Sequence, residues 1–408
     1  MQTANIMSEV EKLRDEMVQT LMELVRIPAM SPESGGEGES SKAEKLIQIL
    51  REHGFDKIER HDAEDAHAPS GKRPNIIAYW EGEKTAERLF IVTHMDVVPP
   101  GEESLWKITK PFEPILRDGR VYGRGSEDNM QSVVASIFAL KALRNLGIKP
   151  SRTAALCFVA DEEQGSTYGI KHLIRQNMFR QNDLVVVPDG GNHDGSFVEI
   201  AEKSVLWLKI RTSGKQAHGS EPKKGLNANR AGMQFALTLD KLLHEKYAAI
   251  DESFDPPEST FEPTAKEKNV DAVNIIPGED VVCFDCRILP AYNVEDVLAD
   301  VNATAAEIAQ KTGAKIKVEI VQKMVAPKPT DPSSPIVLLL TEALKKARGT
   351  QPKIGGIGGG TCAAYFRKAG IPAVVWSTVG DVAHQPDEFA SVDNLVNDAK
   401  VFALLAAL

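Results

Sequence analysis

The sequence predicts an α/β domain, built on a mixed and mostly parallel sheet covered by helices, into which a smaller α+β domain is inserted. The chain has 408 residues, which is more than one ordinary hydrophobic core organises. Segments of strand composition alternate with segments of helical spacing before residue 190 and again after residue 335. Between them the order changes to β-α-β-α-β. These observations predict one domain at 1–193 and 326–408 and a second at 194–325.

The first part of the chain carries the helix and strand patterns in alternation. Apolar side chains recur at helical spacing over 10–25, and this pattern stops at Ile27 and Pro28. After a serine- and glycine-rich loop, a second amphipathic helix begins near Ser41. Further segments predict strands at 75–80, 88–93, 153–160 and 184–188 and a helix at 133–143. This alternation is typical of a sheet covered by helices.

The middle and last parts of the chain differ in the order of their elements. The inserted part carries strands at 204–212, 281–288 and 314–322, helices at about 228–243 and 294–312, a proline- and acid-rich loop at 251–264, and room for another strand at 272–276. Four prolines between positions 327 and 335 mark the return to the larger domain. That domain ends with helices at 336–348, 363–368 and 392–408, a strand at 373–377 and a glycine loop at 355–361. The loop is not a Walker loop, because no Gly-Lys-Ser or Gly-Lys-Thr follows it.

Composition and charge exclude several classes of protein. Hydrophobic residues make up 42% and charged residues 26% of the chain, as in globular proteins. The net charge is −10 and no Lys/Arg-rich stripe is present, so we expect no nucleic-acid partner. No apolar run reaches the roughly 20 residues that cross a bilayer, and the first residues lack the apolar core of a signal peptide. We therefore expect a cytoplasmic protein that does not bind a membrane.

The four cysteines are too few for a disulfide framework in a chain of this length. Cys283 and Cys286 have the spacing of a zinc knuckle, but they lie in a predicted strand. Residues three apart on a strand point to opposite faces of the sheet. We therefore interpret both as packing residues.

The candidate site is organised around the segment 90–100 (FIVTHMDVVPP). An apolar run that ends in His94 and Asp96 is typical of a buried strand with polar side chains at its carboxyl end, where open α/β sheets build their sites. A carboxylate that accepts one imidazole N–H fixes the tautomer and leaves the other nitrogen free for a metal. A pair that only caps a turn fits this segment equally well.

Acidic residues follow further segments of the same kind. Asp128 comes after a glycine-rich turn and just before the helix at 133–143, where a helix cap is the alternative interpretation. Three adjacent acids at 161–163 follow one apolar strand, and Asp189 follows the next. Adjacent acids repel one another unless they are solvated or neutralised by a cation. Polar strand ends that converge on one edge of the sheet therefore predict a cation site.

A series of motifs extends over nearly the whole chain. The motifs are 93–99 (THMDVVP), 123–129 (GRGSEDN), 161–163 (DEE), 188–189 (PD), 217–220 (AHGS), 285–287 (DCR) and 383–386 (AHQP). Together they resemble the M20 family of metal-dependent amidohydrolases and peptidases, and 98–101 and 111–114 are closest to its succinyl-diaminopimelate desuccinylase and acetylornithine deacetylase branch. The segment 359–364 (GGTCAA) departs from that branch, which carries Gly-Gly-Thr-Ser-Asp there, and 129–130 departs as well.

The resemblance implies a centre that holds two divalent metal ions. Asp128 would bridge both ions. His94 and Asp189 would complete one site, and Glu163 and His384 would complete the other. Each ion thereby gains one imidazole, one terminal carboxylate and the shared carboxylate, which leaves a position open for water. Ligands of this kind accept Zn²⁺, which we expect first, and also Co²⁺ or Mn²⁺.

The resemblance also implies the catalytic roles. Glu162 would be the general base, and Asp96 would be the hydrogen-bond partner of His94. His218 in the inserted domain would stabilise the oxyanion, often from the lid of a partner subunit, although a histidine on a surface loop is the alternative interpretation. The inserted domain at 194–325 would then be a ferredoxin-like lid and dimerisation domain, and the protein a homodimer.

Several groups resemble those that hold the free carboxylate of a substrate in this family. They are Arg287, Asn274, Gly359, Gly360 and Thr361. Arginine suits this role because its planar guanidinium binds a carboxylate through two parallel hydrogen bonds. An exposed arginine paired with a surface acid is the alternative interpretation of Arg287.

The predicted function is hydrolysis of the amide bond of an N-acylated amino acid, with a metal-bridging water as the nucleophile. A metallo-dipeptidase or carboxypeptidase of the same family, acting on a dipeptide, is the nearest alternative. A non-catalytic binding protein on this scaffold is another, which the complete set of ligands and Glu162 disfavour. A thiol hydrolase that uses Cys362 with His384 is a third, and nothing in the sequence sets the geometry of that pair.

Overall fold

The computed structural model describes residues 1–408, and they form two compact units. Unit 1 consists of Met1–Ile200, Thr330–Ile354 and Thr361–Leu408. Unit 2 consists of Ala201–Pro329 and Gly355–Gly360. The chain therefore leaves unit 1 for one long segment and again for a short glycine-rich one.

The helices and strands alternate along the chain. The helices are α1 (Gln2–Lys12), α2 (Arg14–Val25), α3 (Ser40–Glu52), α4 (Ser132–Asn145), α5 (Ile170–Arg175), α6 (Ala228–Lys246), α7 (Val294–Thr312), α8 (Pro335–Arg348), α9 (Ala363–Lys368) and α10 (Val392–Ala407). The strands are β1 (Lys57–Glu64), β2 (Lys72–Trp80), β3 (Lys84–His94), β4 (Ile115–Arg117), β5 (Arg120–Tyr122), β6 (Arg152–Val159), β7 (Leu184–Asn192), β8 (Phe197–Glu202), β9 (Ser204–Ser213), β10 (Ala217–His218), β11 (Thr260–Lys266), β12 (Ile275–Ile276), β13 (Glu279–Ile288), β14 (Lys315–Met324), β15 (Lys353–Ile357), β16 (Ala373–Thr378) and β17 (Phe389–Ser391). The single helix predicted at 10–25 is thus divided, because α1 ends and α2 begins around Leu13.

The main sheet has eight strands in the order β1-β2-β6-β3-β7-β16-β8-β15. The four central strands, β6, β3, β7 and β16, run parallel to one another, whereas β1 and β2 at one side and β8 at the other pair antiparallel. This arrangement confirms the predicted mixed sheet of the larger domain. Because parallel strands end at one edge of a sheet, the segments that follow β3, β6 and β7 meet there.

Both faces of the central strands are buried. Phe90 and Val92 of β3 belong to a cluster that also contains residues of α5 and α9. Leu89 and Ile91, which point to the other face, are buried as well. Strands that are covered on both faces appear in a sequence as nearly continuous apolar runs, which is the pattern that predicted these strands.

Unit 2 contains an antiparallel sheet of four strands in the order β11-β13-β9-β14. Helices α6 and α7 cover one face, where Leu208 of β9 packs in one cluster with Phe235 of α6 and Val301 of α7. A separate two-stranded pair joins β10 to β12 through Ala217 and Ile276. The alternation of buried and outward side chains along β9 and β13 follows from this one-sided covering.

Strand β11 corrects one prediction. A loop was predicted for 251–264, but the last residues of that stretch belong to β11. Pro263 is tolerated there because β11 is an edge strand, and its pairing with β13 shifts between Pro263 and Ala265. Proline therefore marked a sheet edge rather than the absence of a strand.

None of the helices combines the length and the apolar character that spanning a bilayer requires.

Candidate metal centre

His94 is the last residue of β3 and is 1% exposed. Its Nδ1 lies 3.0 Å from the main-chain oxygen of Asp96 and 3.5 Å from that residue's carboxylate. An N–H at Nδ1 that donates to this main-chain oxygen leaves Nε2 with a free lone pair. Nε2 faces carboxylate oxygens of Asp128 at 2.8 Å and Asp189 at 3.6 Å.

Asp128 lies between two imidazoles. One of its carboxylate oxygens is 2.8 Å from Nε2 of His94, and the other is 3.1 Å from Nε2 of His384. The residue sits in an irregular turn, Ser126–Gln131, that precedes α4, and its peptide bond to Asn129 is cis. No side-chain hydrogen bond from Asp128 caps α4. The structure thus directs this carboxylate to the two histidines and not to the helix end.

The possible ligand atoms form two groups that share Asp128. His94, Asp128 and Asp189 place one ligand atom each within 4.8 Å of one another, and so do Asp128, Glu163 and His384. Nε2 of His384 is 3.2 Å from a Glu163 carboxylate oxygen. Each group contains one imidazole, one terminal carboxylate and one oxygen of the shared carboxylate. Neutral imidazole and carboxylate are the donors that zinc, cobalt and manganese accept, so the residues fit two divalent ions.

The electrostatics of the two groups are those of a cation site. Burial lowers the pKa of the His94 imidazole, but the carboxylates of Asp189 and Asp128 raise it well above its ordinary value. Hydrogen bonds to Asp128 and Glu163 raise the pKa of His384 to about 10. Burial raises the pKa of Asp128, yet His94 and His384 hold it well below its ordinary value. The carboxylates create a negative potential that favours the protonated imidazoles. Bound cations would neutralise this potential.

Asp96 connects β3 to the acids that follow β6. Its two carboxylate oxygens accept the main-chain N–H groups of Glu162 and Glu163, both at 3.0 Å. Asp96 itself is 0% exposed. The Asp96 carboxylate therefore lies beside His94 and also fixes the backbone of Glu162 and Glu163. The sequence did not predict this second contact.

Glu162 is close enough to Asp189 and His94 for their charges to act on it, but it is not part of either ligand group. Burial raises the pKa of Glu162 well above its ordinary value, and the nearby carboxylate of Asp189 raises it further. A carboxyl group with a raised pKa holds and releases a proton closer to neutral pH. The two adjacent glutamates thus differ in environment, since Glu163 belongs to a ligand group and Glu162 does not.

Asn129 is a residue whose role the sequence did not reveal. Its side-chain N–H groups donate to the main-chain oxygen of Pro188 at 2.8 Å and to Asp189 Oδ1 at 3.1 Å. It is 2% exposed. Asn129 thus connects the turn that carries Asp128 to the strand that carries Asp189. In the sequence, the position of Asn129 directly after Asp128 in the motif 123–129 was the feature that could have indicated this role.

A third group of possible ligand atoms consists of Glu33, Asp65 and His67. The Arg73 guanidinium already lies 3.5 Å from Glu33 and 3.4 Å from Asp65. These two carboxylates therefore already form ion pairs with a side chain of the protein itself.

The predicted residues of the inserted domain lie in unit 2. His218 is exposed on β10, where its Nδ1 is 2.7 Å from Ser220 Oγ, and Asn274 accepts the Gly219 N–H at 2.7 Å with its main-chain oxygen. His218 and Asn274 therefore lie near each other.

Arg287 lies at a different place in unit 2. Its guanidinium donates to Asp285 at 2.7 and 3.0 Å and to the main-chain oxygen of Gly358 at 2.9 Å. Gly359 and Gly360 follow directly in the chain, whereas Thr361 belongs to unit 1. The structure thus pairs Arg287 with an acid, which was the alternative interpretation, while it also places the arginine beside the glycine segment.

Cys362 is 2% exposed in the cluster under the sheet. Burial raises the pKa of its thiol well above the ordinary value, and Glu162 and Asp189 add to this effect. A nucleophilic cysteine requires a lowered pKa and an accessible sulfur. The environment of Cys362 disfavours the thiol mechanism.

The chain is similar to known proteins over most of its length. The sequence profile of peptidase family M20/M25/M40 matches residues 90–408. An uncharacterized metallohydrolase of Methanocaldococcus jannaschii is 39% identical over 96% of this chain and 98% of its own. A succinyl-diaminopimelate desuccinylase of Nitratiruptor sp. is 26% identical over 93% of this chain and 96% of its own.

Solved structures share the fold. A tripeptidase from Staphylococcus aureus superposes with a TM-score of 0.74 at 18% identity, covering 97% of this chain and 98% of that one. A metallo-carboxypeptidase from Sulfolobus solfataricus superposes with a TM-score of 0.71 at 21% identity, covering 96% of this chain and 99% of that one. At these identities the likeness concerns the fold alone.

Proposed function

The chain belongs to peptidase family M20/M25/M40 and is a metal-dependent hydrolase, and on that premise we propose that it uses two divalent ions to cleave the amide bond of an N-acylated amino acid. The observation that carries the proposal is the position of Asp128, whose two oxygens face different imidazoles at 2.8 and 3.1 Å. A carboxylate placed in this way can serve two cations at once. Such pairs of ions are a recurrent device in hydrolases.

The ligands of the proposed centre are the two groups described above. His94 and Asp189 would hold one ion, Glu163 and His384 the other, with Asp128 shared. When bound, the ions supply Lewis acidity and lower the pKa of water towards neutrality. We propose Zn²⁺ first, with Co²⁺ or Mn²⁺ as alternatives, because this set of donors accepts all three. Three carboxylates against two dications leave about one net positive charge, which favours an anionic transition state.

Glu162 moves the proton in this proposal. Its carboxylate takes a proton from the attacking water and returns it to the departing amine nitrogen. The raised pKa of Glu162 supports this role, because the protonated form is then accessible during the cycle. The main-chain N–H that Asp96 accepts at 3.0 Å keeps the glutamate in place.

The substrate proposal concerns unit 2 and the glycine segment. We assign His218 to stabilisation of the oxyanion. We assign the substrate carboxylate to Arg287 and Asn274 together with the backbone of 359–361. Arg287 keeps N–H groups that neither Asp285 nor Gly358 occupies, so it can bind a carboxylate while it stays in place. Desuccinylases among the relatives, matched over more than nine tenths of the chain, support an N-succinyl or N-acetyl amino acid.

Dimerisation and lid closure belong to the same proposal. The domain at 194–325 would act as a lid over the domain at 1–193 and 326–408 and join two copies. His218 would then act in the site of the partner. A metallo-dipeptidase or carboxypeptidase is the second candidate, because the family to which the chain belongs is a peptidase family.

The deciding experiment combines metal replacement with a panel of substrates. Apoprotein prepared with a chelator is reloaded with Zn²⁺, Co²⁺ or Mn²⁺ and assayed on N-succinyl amino acids, N-acetyl amino acids and dipeptides. We expect activity to vanish with the chelator, to return with metal and to be highest on an N-acyl amino acid. Higher activity on dipeptides would favour the second candidate, and no hydrolysis of any substrate with any metal would contradict the proposal.

A variant of Cys362 serves as the control for the thiol mechanism. The substitution Cys362→Ala removes the sulfur and leaves every proposed ligand in place. We expect hydrolysis to remain and to stay sensitive to the chelator. Activity that survived the chelator in the wild type but disappeared in this variant would contradict a metal mechanism.

A further inference from the structure

Two buried acids beside the metal centre have no part in the proposed reaction. Glu127 directly precedes Asp128, and Glu388 follows His384 by four positions. They are 6% and 1% exposed. Each one therefore lies on a segment that carries a proposed ligand, and each is removed from solvent.

Glu388 binds the segment that carries Asp128. One of its carboxylate oxygens accepts the main-chain N–H groups of Glu127 at 3.0 Å and Asp128 at 3.1 Å. The other accepts the N–H of Gly125 at 3.0 Å and the Arg124 guanidinium at 2.6 Å. All four donors lie within 124–128. The Glu388 side chain thus fixes the backbone of Asp128, the shared ligand, and of the residues directly before it.

Glu127 binds the segment that carries His384. Its Oε2 accepts the main-chain N–H of Val382 at 2.9 Å, and its Oε1 accepts that of Gly380. The two segments therefore hold each other, since each contributes a buried carboxylate to the other's backbone. Arg124 adds a donor to the main-chain oxygen of His384 at 3.3 Å.

The segment around His384 needs such support. His384 has φ +64°, and Asp381 and Asp387 have φ +56°. Residues other than glycine are disfavoured in this left-handed region, and they persist there only where surrounding interactions fix the backbone. The hydrogen bonds of Glu127 and Glu388 fall on either side of His384 and supply that constraint.

We propose that Glu127 and Glu388 form a reciprocal carboxylate clamp that sets the distance between Asp128 and His384 before metal binds. Both are positioning residues, because they act through backbone N–H groups and are not among the ligand atoms. This inference rests on the proposed metal centre. A ligand pair held in place loses less conformational freedom on binding, so the clamp raises metal affinity.

The test uses the substitutions Glu127→Gln and Glu388→Gln. Each keeps the size of the side chain but replaces one acceptor oxygen with an N–H₂ group that faces a backbone N–H. Apoprotein is titrated with Co²⁺ against a competing chelator while the visible absorption of Co²⁺ is recorded. We expect the affinity for at least one of the two ions to fall about 10–100-fold and the Co²⁺ spectrum to change.

A second readout does not depend on metal. Amide hydrogen exchange of the apoprotein reports how tightly each segment is held. We expect faster exchange at 380–388 in Glu127→Gln and at 124–128 in Glu388→Gln. Because each variant loosens the segment that the other residue occupies, this crossed pattern is specific to a reciprocal clamp.

The matched control is Asp183→Asn. Asp183 is also a buried carboxylate that accepts a guanidinium, from Arg88 at 2.8 and 2.5 Å, and a backbone N–H, from Arg180 at 2.7 Å. It contacts neither segment of the clamp. We expect this variant to keep the wild-type Co²⁺ affinity and spectrum even if its melting temperature falls.

The outcomes separate the clamp from the metal centre itself. If both glutamine variants bind Co²⁺ with wild-type affinity and spectrum, the clamp is wrong. If Glu388→Gln does not fold because Arg124 loses its partner, Glu127→Gln decides the question, since it leaves no charged group unpaired. A wild-type protein that binds no Co²⁺ overturns the proposed function as well, and that failure appears without any substitution.

Discussion

Asp128 and its neighbours show what single side chains contribute to the proposed centre. Asp128 faces both imidazoles, whereas Glu162 and Glu163 are adjacent in the chain but lie in different environments. Glu163 is 3.2 Å from His384 Nε2, and Glu162 is outside both ligand groups. Two neighbouring acids of the same chemistry can therefore be assigned separate roles, and substitution of each should have a different consequence.

The substitution Glu162→Gln tests the assignment of the general base. It removes the group that takes the proton but leaves every proposed ligand intact. We expect kcat to fall about 10²–10⁴-fold, while the content of Co²⁺ per protomer stays at the wild-type value. The measurements are steady-state hydrolysis of the best substrate of the panel and metal content after dialysis.

Glu163→Gln is the matched comparison, because the same substitution at the next position removes a proposed ligand. We expect this variant to lose metal as well as activity. Near-normal kcat in Glu162→Gln would show that the base is another group. Loss of metal from Glu162→Gln would instead place that residue among the ligands.

At the scale of elements, the parallel strands β3, β6 and β7 bring the site together. His94 ends β3, the acids 161–163 follow β6, and Asp189 lies in β7. Helices that are distant from these strands in the sequence, including α9 and α10, form part of the core that holds the strands in place. The stability of these helices on the sheet therefore supports the site, and two substitutions test it.

Asp398 of α10 makes the stability dependent on pH. It accepts the N–H of Thr378 at 3.0 Å and the Arg348 guanidinium at 2.6 Å. Burial raises its pKa from 3.8 to about 6, although Arg348 and Thr378 favour the ionised form. Between these two values the unfolded chain ionises while the folded protein keeps the proton. The protonated Asp398 therefore stabilises the folded protein in full below pH 3.8, and this stabilisation is lost as the pH rises through about 6.

The variant Asp398→Asn isolates this effect, because it keeps all other titrating groups. We expect the free energy of unfolding of the wild type, relative to the variant, to fall by about 3 kcal/mol as the pH rises through this range and to be constant above it. Thermal unfolding of both proteins over the range of pH measures the difference. A difference that rises with pH, or does not change, would show that Asp398 is not stabilised in its protonated form.

Phe366 of α9 tests the packing under the sheet. It is fully buried, and its ring meets that of Phe179 edge to face with centroids 4.7 Å apart. We expect Phe366→Ala to lower the free energy of unfolding by about 3–5 kcal/mol, because it leaves a cavity. Leu338→Ala on α8 is the control, since Leu338 is 57% exposed. Equal melting temperatures for both variants would contradict this account of the core.

At the scale of the whole molecule, the candidate residues are divided between the two units. All five proposed ligands belong to unit 1, and His218, Asn274 and Arg287 belong to unit 2. A reaction that uses both sets requires one unit to act on the other, within one copy or between two. The proposal that His218 acts in the partner's site makes a specific prediction.

Mixing two inactive variants tests whether His218 acts in the partner's site. In a dimer of Glu162→Gln with His218→Ala, the second protomer keeps Glu162 and would receive the intact His218 of the first. Random exchange of equal amounts makes half of the dimers mixed, each with one complete site. We therefore expect activity near one quarter of the wild type after mixing, measured against each variant alone.

No recovery would assign His218 to its own protomer's site, provided that a tag on one variant co-purifies the other and so shows the mixed dimer, while sedimentation gives the oligomeric state. A monomeric protein in the same measurement would contradict the proposed homodimer.

The sequence alone determined five of the eight strands of the main sheet (β2, β3, β6, β7 and β16), the family and the set of polar residues at the strand ends. These features follow from local patterns, since strands buried on both faces need continuous apolar runs, and parallel strands end at a common edge. The edge strand β11 was not predicted because Pro263 and the charged residues Glu262 and Lys266 hide its strand pattern.

Only the tertiary structure decided how the polar residues are held. Asp96 fixes the backbone of Glu162 and Glu163, and Glu388 accepts the N–H of Asp128, which is 260 positions away in the chain. Backbone N–H groups look alike at every residue, so no pattern of side chains reveals which carboxylate will accept them. That choice depends on which loops the fold brings together, because a buried carboxylate is stable only where donors already converge.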